Sequence, residues 1–218
     1  MVDVAQADVV AVLTRAPSAG GKSRLFHALG RPPDAALLRA LLLDTIDGAR
    51  VPGSTLVVAV APGDGCGEVA ALVPDATVVP QGNGSLGERM RDTMAWIFQG
   101  GARRVALIGS DLPEIGGDTI ATAFSLLGED PDALVLGPAR DGGYYLIGAS
   151  RVPPVFDGIE WGSDRVFAQT RDEAARSGLH LRLLEALSDV DTVEDLRRLG
   201  RSPRAVRTAA WVSRNLPG

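Results

Sequence analysis

Seven short apolar runs recur along the 218-residue chain: 8–14 (DVVAVLT), 54–61 (STLVVAVA), 76–79 (ATVV), 103–109 (RRVALIG), 133–137 (ALVLG), 143–149 (GYYLIGA) and 179–184 (LHLRLL). Their Val/Leu/Ala-rich character, without regular alternation, is that of strands buried on both faces. Helical patterns separate them, at 34–50, 85–99, 117–128, 163–177, 192–199 and 203–215. Asp34 after Pro32-Pro33 is a candidate N-cap, Ser85 with Glu88 fits a capping box, Ser163 is a third candidate cap, and Asp191 with Glu194 suits the start of the 192–199 helix. Strand and helix alternating at this spacing predict an α/β fold with a mainly parallel sheet. No repeat or long linker interrupts the pattern. It is read as one domain over 1–218, with 150–162 crossing the surface and 200–218 forming a C-terminal helix.

In such sheets ligands bind beyond the carboxyl ends of the strands. The loops that matter are therefore 15–23, 80–85, 110–114, 138–143 and 185–191. Four of the five hold a carboxylate, a basic group or a Gly-rich turn.

The first reads TRAPSAGGKSRL over 14–25, and Lys22 in it is the only lysine of the chain. Gly21-Lys22-Ser23 loosely fits the end of a P-loop, with Ala16 in place of its first glycine. A longer loop is the alternative: Arg15, Lys22 and Arg24 aimed at phosphates, with Gly20-Gly21 admitting backbone N–H groups. An ammonium is a compact point charge and a guanidinium a planar fork. A lysine kept where every other base is arginine marks a place the fork does not fit.

Asp111 lies just past the strand RRVALIG, where a carboxylate faces the ligand crevice and can hold magnesium together with substrate phosphates. Asp141-Gly142-Gly143 is a tight turn between two strands. An Asp there can orient an acceptor hydroxyl or act as its base. Asp189 and Asp191, from another strand end, can complete a metal site with Asp111. Trp161 can stack on an acceptor or cover the core edge. His27, His180 and Cys66 are assigned no chemistry.

Charge narrows the partners. A net charge of −5 argues against a broad basic surface for nucleic acid. A single cysteine, Cys66, excludes an internal disulfide framework. No apolar run reaches the roughly 20 residues of a membrane span, and the opening MVDVAQAD has no signal-like core. The expectation is a cytoplasmic protein with no membrane and no nucleic-acid partner, its oligomeric state left open.

Six segments in order, TRAPSAGGKSRL, QGNGSLGERM, LIGSDLPEI, GPARDGGYYLIG, IEWGSDRVFAQT and DVDTVEDL, resemble the bacterial glycosyltransferase A-type proteins described as selenodomain- or arsenosugar-associated transferases. These are relatives of the molybdenum-cofactor and 2-phospholactate guanylyltransferases. The resemblance covers residues 8 to about 199. It implies a Rossmann-like nucleotide-diphospho-sugar transferase fold, so the P-loop-like match would be coincidental in fold. It also implies that Lys22 and Arg24 contact phosphates, with Arg15 where the family often has lysine, and that Gln81, Gly82 and Ser85 lie near the nucleotide alongside Gly21. By the same resemblance Asp111 binds the divalent metal with help from Asp189 or Asp191, and Asp141, Gly142 and Gly143 line the acceptor side. Ser85 stands where the family has Asp, and Ser23 where it has Thr.

The leading expectation is Mg2+- or Mn2+-dependent transfer from a nucleoside-diphosphate sugar to a small acceptor, with Asp111, Asp141 and Lys22 at the chemistry. Nucleotidyl transfer from a nucleoside triphosphate to a phosphorylated acceptor is the alternative, favoured by the basic 15–24 loop. Nucleotide binding without turnover is the third.

Overall fold

The computed structural model describes residues 6–216. The expectation of no leader at the start of the chain and the last two residues of the 200–218 segment lie outside that range. Seven strands form one sheet: β1 (Asp8–Arg15), β2 (Thr55–Ala61), β3 (Thr77–Pro80), β4 (Arg104–Gly109), β5 (Ala133–Pro138), β6 (Tyr144–Ala149) and β7 (His180–Leu183), in the order β3-β2-β1-β4-β6-β5-β7. All run parallel except β6, which is antiparallel to both β4 and β5. The DGG turn joins β5 to β6, so it lies at the carboxyl edge of the parallel strands.

Helices α1 (Ser23–Ala28), α2 (Ala35–Gly48), α3 (Cys66–Leu72), α4 (Leu86–Gln99), α5 (Gly117–Glu129), α6 (Val166–Arg176), α7 (Val193–Leu199) and α8 (Val206–Asn215) are the α-helices of the described residues. The central strands are buried on both faces, as their unbroken apolar runs require. Val10, Val12, Val58, Val60 and Ile108 pack with Ile46 of α2 and Ile120 and Phe124 of α5. Their sequence neighbours Val9, Ala11, Val57, Ala59 and Leu107 pack with Met90, Met94 and Ile97 of α4 on the other side. The period of two along each strand thus feeds two cores, and each fully buried Val or Leu contributes about 1.5–3 kcal/mol.

A third cluster holds α1, α7 and α8 against α2. Asp44 of α2 is 2% exposed and accepts from the Thr208 N–H at 2.8 Å and the Arg207 N–H at 3.1 Å. Helix α8 has no side-chain cap of its own, so Asp44 supplies one from a neighbouring helix.

Three local expectations change. Helices α1 and α3 were not predicted. Helix α6 begins at Val166, and the Ser163 hydroxyl instead accepts from the Arg165 N–H within the preceding turn. The cap of α7 is Thr192, in a reciprocal box with Asp195, not Asp191 with Glu194. Asp191 is thereby free to face the site.

Candidate active site

The chain leaves β1 at Arg15, makes a 3-10 turn over Pro17–Ala19, and then holds three residues at positive φ: Gly20 (69°), Gly21 (152°) and Lys22 (46°). A side chain at φ +46 is uncommon and strained, and glycine relieves that strain only at the first two positions. The result points the Lys22 side chain across the end of the sheet. Its ammonium lies 2.6 Å from Asp111 Oδ2 and 3.1 Å from Asp191 Oδ1, with the side chain only 12% exposed. Burial pushes this ammonium toward neutrality, but the two carboxylates outweigh it and hold its pKa above the usual lysine value. Lys22 was expected at phosphates and Asp111 at the metal. In the structure they pair directly.

Asp111 is placed by a residue with no sequence signal. The buried Thr45 of α2 donates its hydroxyl to Ser110 O at 3.1 Å and accepts the Leu112 N–H at 3.0 Å, clamping the turn on both sides of Asp111. The Val190 N–H donates to Asp111 O at 3.3 Å and brings the 185–191 loop alongside. Carboxylate oxygens of Asp111, Asp189 and Asp191 come within 4.8 Å of one another. Burial first, then the charges of Asp111, Asp191 and Asp141, push the Asp189 carboxyl up to about 6. Three hard oxygen donors at this spacing fit a magnesium- or manganese-class cation, and the Lys22 ammonium shows that positive charge is accommodated there. Such an ion would neutralise charge on phosphate oxygens.

Two hollows meet at this cluster. The first, about 370 Å³, has apolar walls from Leu13, Leu38, Leu41 and Leu86, with Arg15, Gly21, Lys22, Gln81 and Arg89 supplying its polar lining. The second, about 410 Å³, is bordered by Arg24, Asp141, Gly143, Tyr144, Trp161, Asp189 and Asp191. Asp111, Gly109 and Leu86 border both.

Several predicted residues sit differently from their expected roles. Arg24 borders the second hollow and Lys22 the first, because residues two apart at a helix start point to different sides. Gly82, Ser85 and Gly142 border neither hollow. The Ser85 hydroxyl and N–H are engaged in the capping box with Glu88. Gly142, at φ 93°, is wedged under Asp164, where a Cβ would stand 2.2 Å from the Asp164 carbonyl oxygen. The Asp141 carboxylate accepts the Gly143 N–H at 2.9 Å, which fixes the turn while leaving its other oxygen to the second hollow. Trp161 meets Tyr144 edge to face, 6.4 Å between centroids, and lies over Gly87.

Gln81 carries the greatest surprise. Its amide nitrogen donates to Thr14 O and Ala59 O, both at 2.8 Å, tying the ends of β1 and β2 together. Its oxygen accepts from Arg89 Nη1 at 3.4 Å. Arg89 is the charged residue on this hollow that sequence reasoning missed.

The sequence profile of a bacterial family described as "uncharacterized protein conserved in bacteria" (DUF2064) matches residues 45–163, more than half of the chain. A 3-phospho-D-glycerate guanylyltransferase of Phenylobacterium zucineum is 29% identical over 210 residues, 93% of this chain and 94% of that protein. A Desulfovibrio desulfuricans structure, provisionally assigned as a nucleotide-diphospho-sugar transferase, is 31% identical over 96% of both chains, with a TM-score of 0.84. A nucleotidyl transferase from Methanothermobacter superposes with a TM-score of 0.61 at 16% identity, over 93% of this chain and 99% of that one. The fold is therefore that of the nucleotidyltransferases and glycosyltransferase A-type proteins, and the chain is a transferase.

Proposed function

The chain belongs to the DUF2064 family, and from that membership and the paired hollows we propose that it is a metal-dependent nucleotidyltransferase acting on a phosphorylated small acceptor. The guanylyltransferase relative, similar along nearly its whole length, supports this reading over glycosyl transfer. The first hollow takes a nucleoside triphosphate, with its phosphates toward Gly21, Lys22 and Arg15. The second takes the acceptor, against Trp161, Asp141 and Arg24. An acceptor phosphate oxygen bonds to the α-phosphorus as the bond to the β-phosphate bridge breaks, and pyrophosphate leaves. Asp111, Asp189 and Asp191 hold Mg2+ or Mn2+. No protein nucleophile takes part, so orientation and positive charge carry the rate. The observation that bears most weight is Asp111, which borders both hollows and pairs with Lys22 at 2.6 Å.

Nucleotide-sugar transfer is the second reading, favoured by the Desulfovibrio relative. Pyrophosphate release decides between them. Each nucleoside triphosphate is incubated with 3-phosphoglycerate, 2-phospholactate or phosphoenolpyruvate, with Mg2+ or Mn2+. Release that needs both metal and acceptor supports nucleotidyl transfer. Turnover of nucleoside-diphosphate sugars alone replaces it with the second reading. We place the activity in the cytoplasm and in one domain. The lone Cys66 and the single sheet support this, and no described helix is long and apolar enough to cross a membrane.

A further inference from the structure

We infer that Gln81 and Arg89 together read the donor's nucleobase, and that they select a base bearing a carbonyl next to a ring N–H. This rests on the nucleotidyl-transfer reading above and names the part of the donor that the first hollow recognises.

Topology sets the orientation. The first hollow spans the carboxyl end of β1, which lies between β2 and β4. Lys22 and Asp111 stand on the β4 side, where the positive-φ loop and a divalent ion on the acidic cluster would gather the phosphates. Gln81 follows β3 and stands on the opposite side, next to Arg89 of α4. Leu13, Leu38, Leu41 and Leu86 line the space between with apolar surface suited to a flat ring. A triphosphate anchored at one end therefore brings its base to the other.

The polar groups waiting there have fixed sense. The Gln81 amide cannot be turned over, because its nitrogen donates to two carbonyl oxygens, Thr14 O and Ala59 O. Only its oxygen faces Arg89, so it acts as an acceptor. Arg89 contacts Ser85 O and Gln81 Oε1, both at 3.4 Å, and has no ion-pair partner among the described residues. Its fork has donors and no acceptor. These long contacts are readily exchanged for shorter ones to a ligand. A donor beside an acceptor matches guanine, whose O6 accepts and whose N1–H donates. Uracil, with O4 and N3–H, carries the same pair. Adenine presents the reverse pair, an amino donor beside a ring acceptor, and when its edge is held in the same sense as guanine's it sets donor against donor. Cytosine does likewise.

The test is calorimetric binding of GTP, ITP, UTP, ATP and CTP to the full chain with Mg2+, repeated for Arg89→Gln and Arg89→Lys. ITP keeps the carbonyl and N–H of guanine without its 2-amino group, and UTP separates the pyrimidine source from the purine one. Wild type should bind GTP and ITP, or UTP, about tenfold or more tightly than ATP. In Arg89→Gln that ratio should collapse to within about threefold while ATP affinity stays close to wild type, and Arg89→Lys, which keeps a donor and no acceptor, should retain more of the ratio than Arg89→Gln. The ratio comes from one preparation, so a partly unfolded variant scales both arms alike. An unchanged ratio in Arg89→Gln, or a wild type that prefers ATP or CTP, overturns the base-reading role and leaves nucleotidyl transfer standing. No binding of any nucleotide overturns both. A loss in Arg89→Gln common to all nucleotides, restored in Arg89→Lys, makes Arg89 a phosphate contact and overturns the inference.

Discussion

Replacing Lys22 by Met removes one charge and keeps an unbranched apolar stem. The ammonium it removes lies 2.6 Å from Asp111 and 3.1 Å from Asp191, within an acidic cluster whose oxygens come within 4.8 Å of one another. At an effective dielectric of about 20, two unit charges 4.8 Å apart repel by about 3.5 kcal/mol. Asp111 is 34% and Asp191 60% exposed, so water screens part of this. A net loss of about 3 kcal/mol at pH 8 is expected, at the low end for an ion pair broken by removing one partner. For a chain of this length that lowers Tm by about 6–12 °C. Thermal unfolding in chelator, then with millimolar Mg2+ or Mn2+, reads the effect. The divalent ion should restore most of the lost Tm in Lys22→Met and add less to wild type, whose own cation already pairs with two of the carboxylates and offsets one of their charges. A Lys22→Met protein as stable as wild type in chelator at pH 8, or one that metal does not favour over wild type, would refute the reasoning.

Gly87→Ala puts a methyl 2.5 Å from the Trp161 ring. The ring should move, shifting tryptophan emission and raising the acceptor's KM by about tenfold while the donor's KM holds; an unmoved emission spectrum contradicts this. Asp8→Asn tests the lower end of β1: burial raises the Asp8 carboxyl, but hydrogen bonds from Arg104 and Arg103 outweigh it and leave its pKa below 3.8. Its contribution is therefore present above the unfolded pKa and lost as pH falls through the folded one, so urea unfolding should show a gap from wild type of about 1–3 kcal/mol at pH 7 that closes toward pH 2, and a gap constant with pH would count against it.

The strands were legible because burial on both faces leaves an unbroken apolar signature, as in Val9–Leu13 with its two-sided core. The short helices were not. Ser23–Ala28 and Cys66–Leu72 are too brief to show a period, and they persist because Leu25, Phe26 and Val69 pack into existing cores. The identities of the cluster at Lys22, Asp111, Asp189 and Asp191 were readable from strand ends, since loops there share one edge. Their pairing was not, because Lys22 and Asp191 are 169 residues apart in the chain and meet only through the sheet order. Sequence offered Asp191 with Glu194 as the cap of α7, and the backbone chose Thr192 with Asp195. Thr45 and Arg89 were invisible for a different reason. Each acts through a partner, Ser110 and Leu112 for one and Gln81 for the other, and a single side chain on a helix carries no motif.

The one lysine among 22 basic residues acquires a physical reason in this setting. Its ammonium needs room for one nitrogen between two carboxylates, at a backbone position of φ 46° that limits its approach. A guanidinium spreads its charge over a wider planar group and would extend past Asp111 toward Asp189, into the space the three carboxylates offer a metal. Lys22→Arg should thus keep the charge balance, and with it a Tm in chelator within about 3 °C of wild type. It should still weaken Mn2+ binding, measured by calorimetry without nucleotide, by about tenfold. The two substitutions at one site then separate charge from shape: Met costs stability that metal restores, whereas Arg keeps stability and obstructs metal. Equal Mn2+ affinity in Lys22→Arg and wild type would mean that the ammonium and the divalent ion do not share the same space.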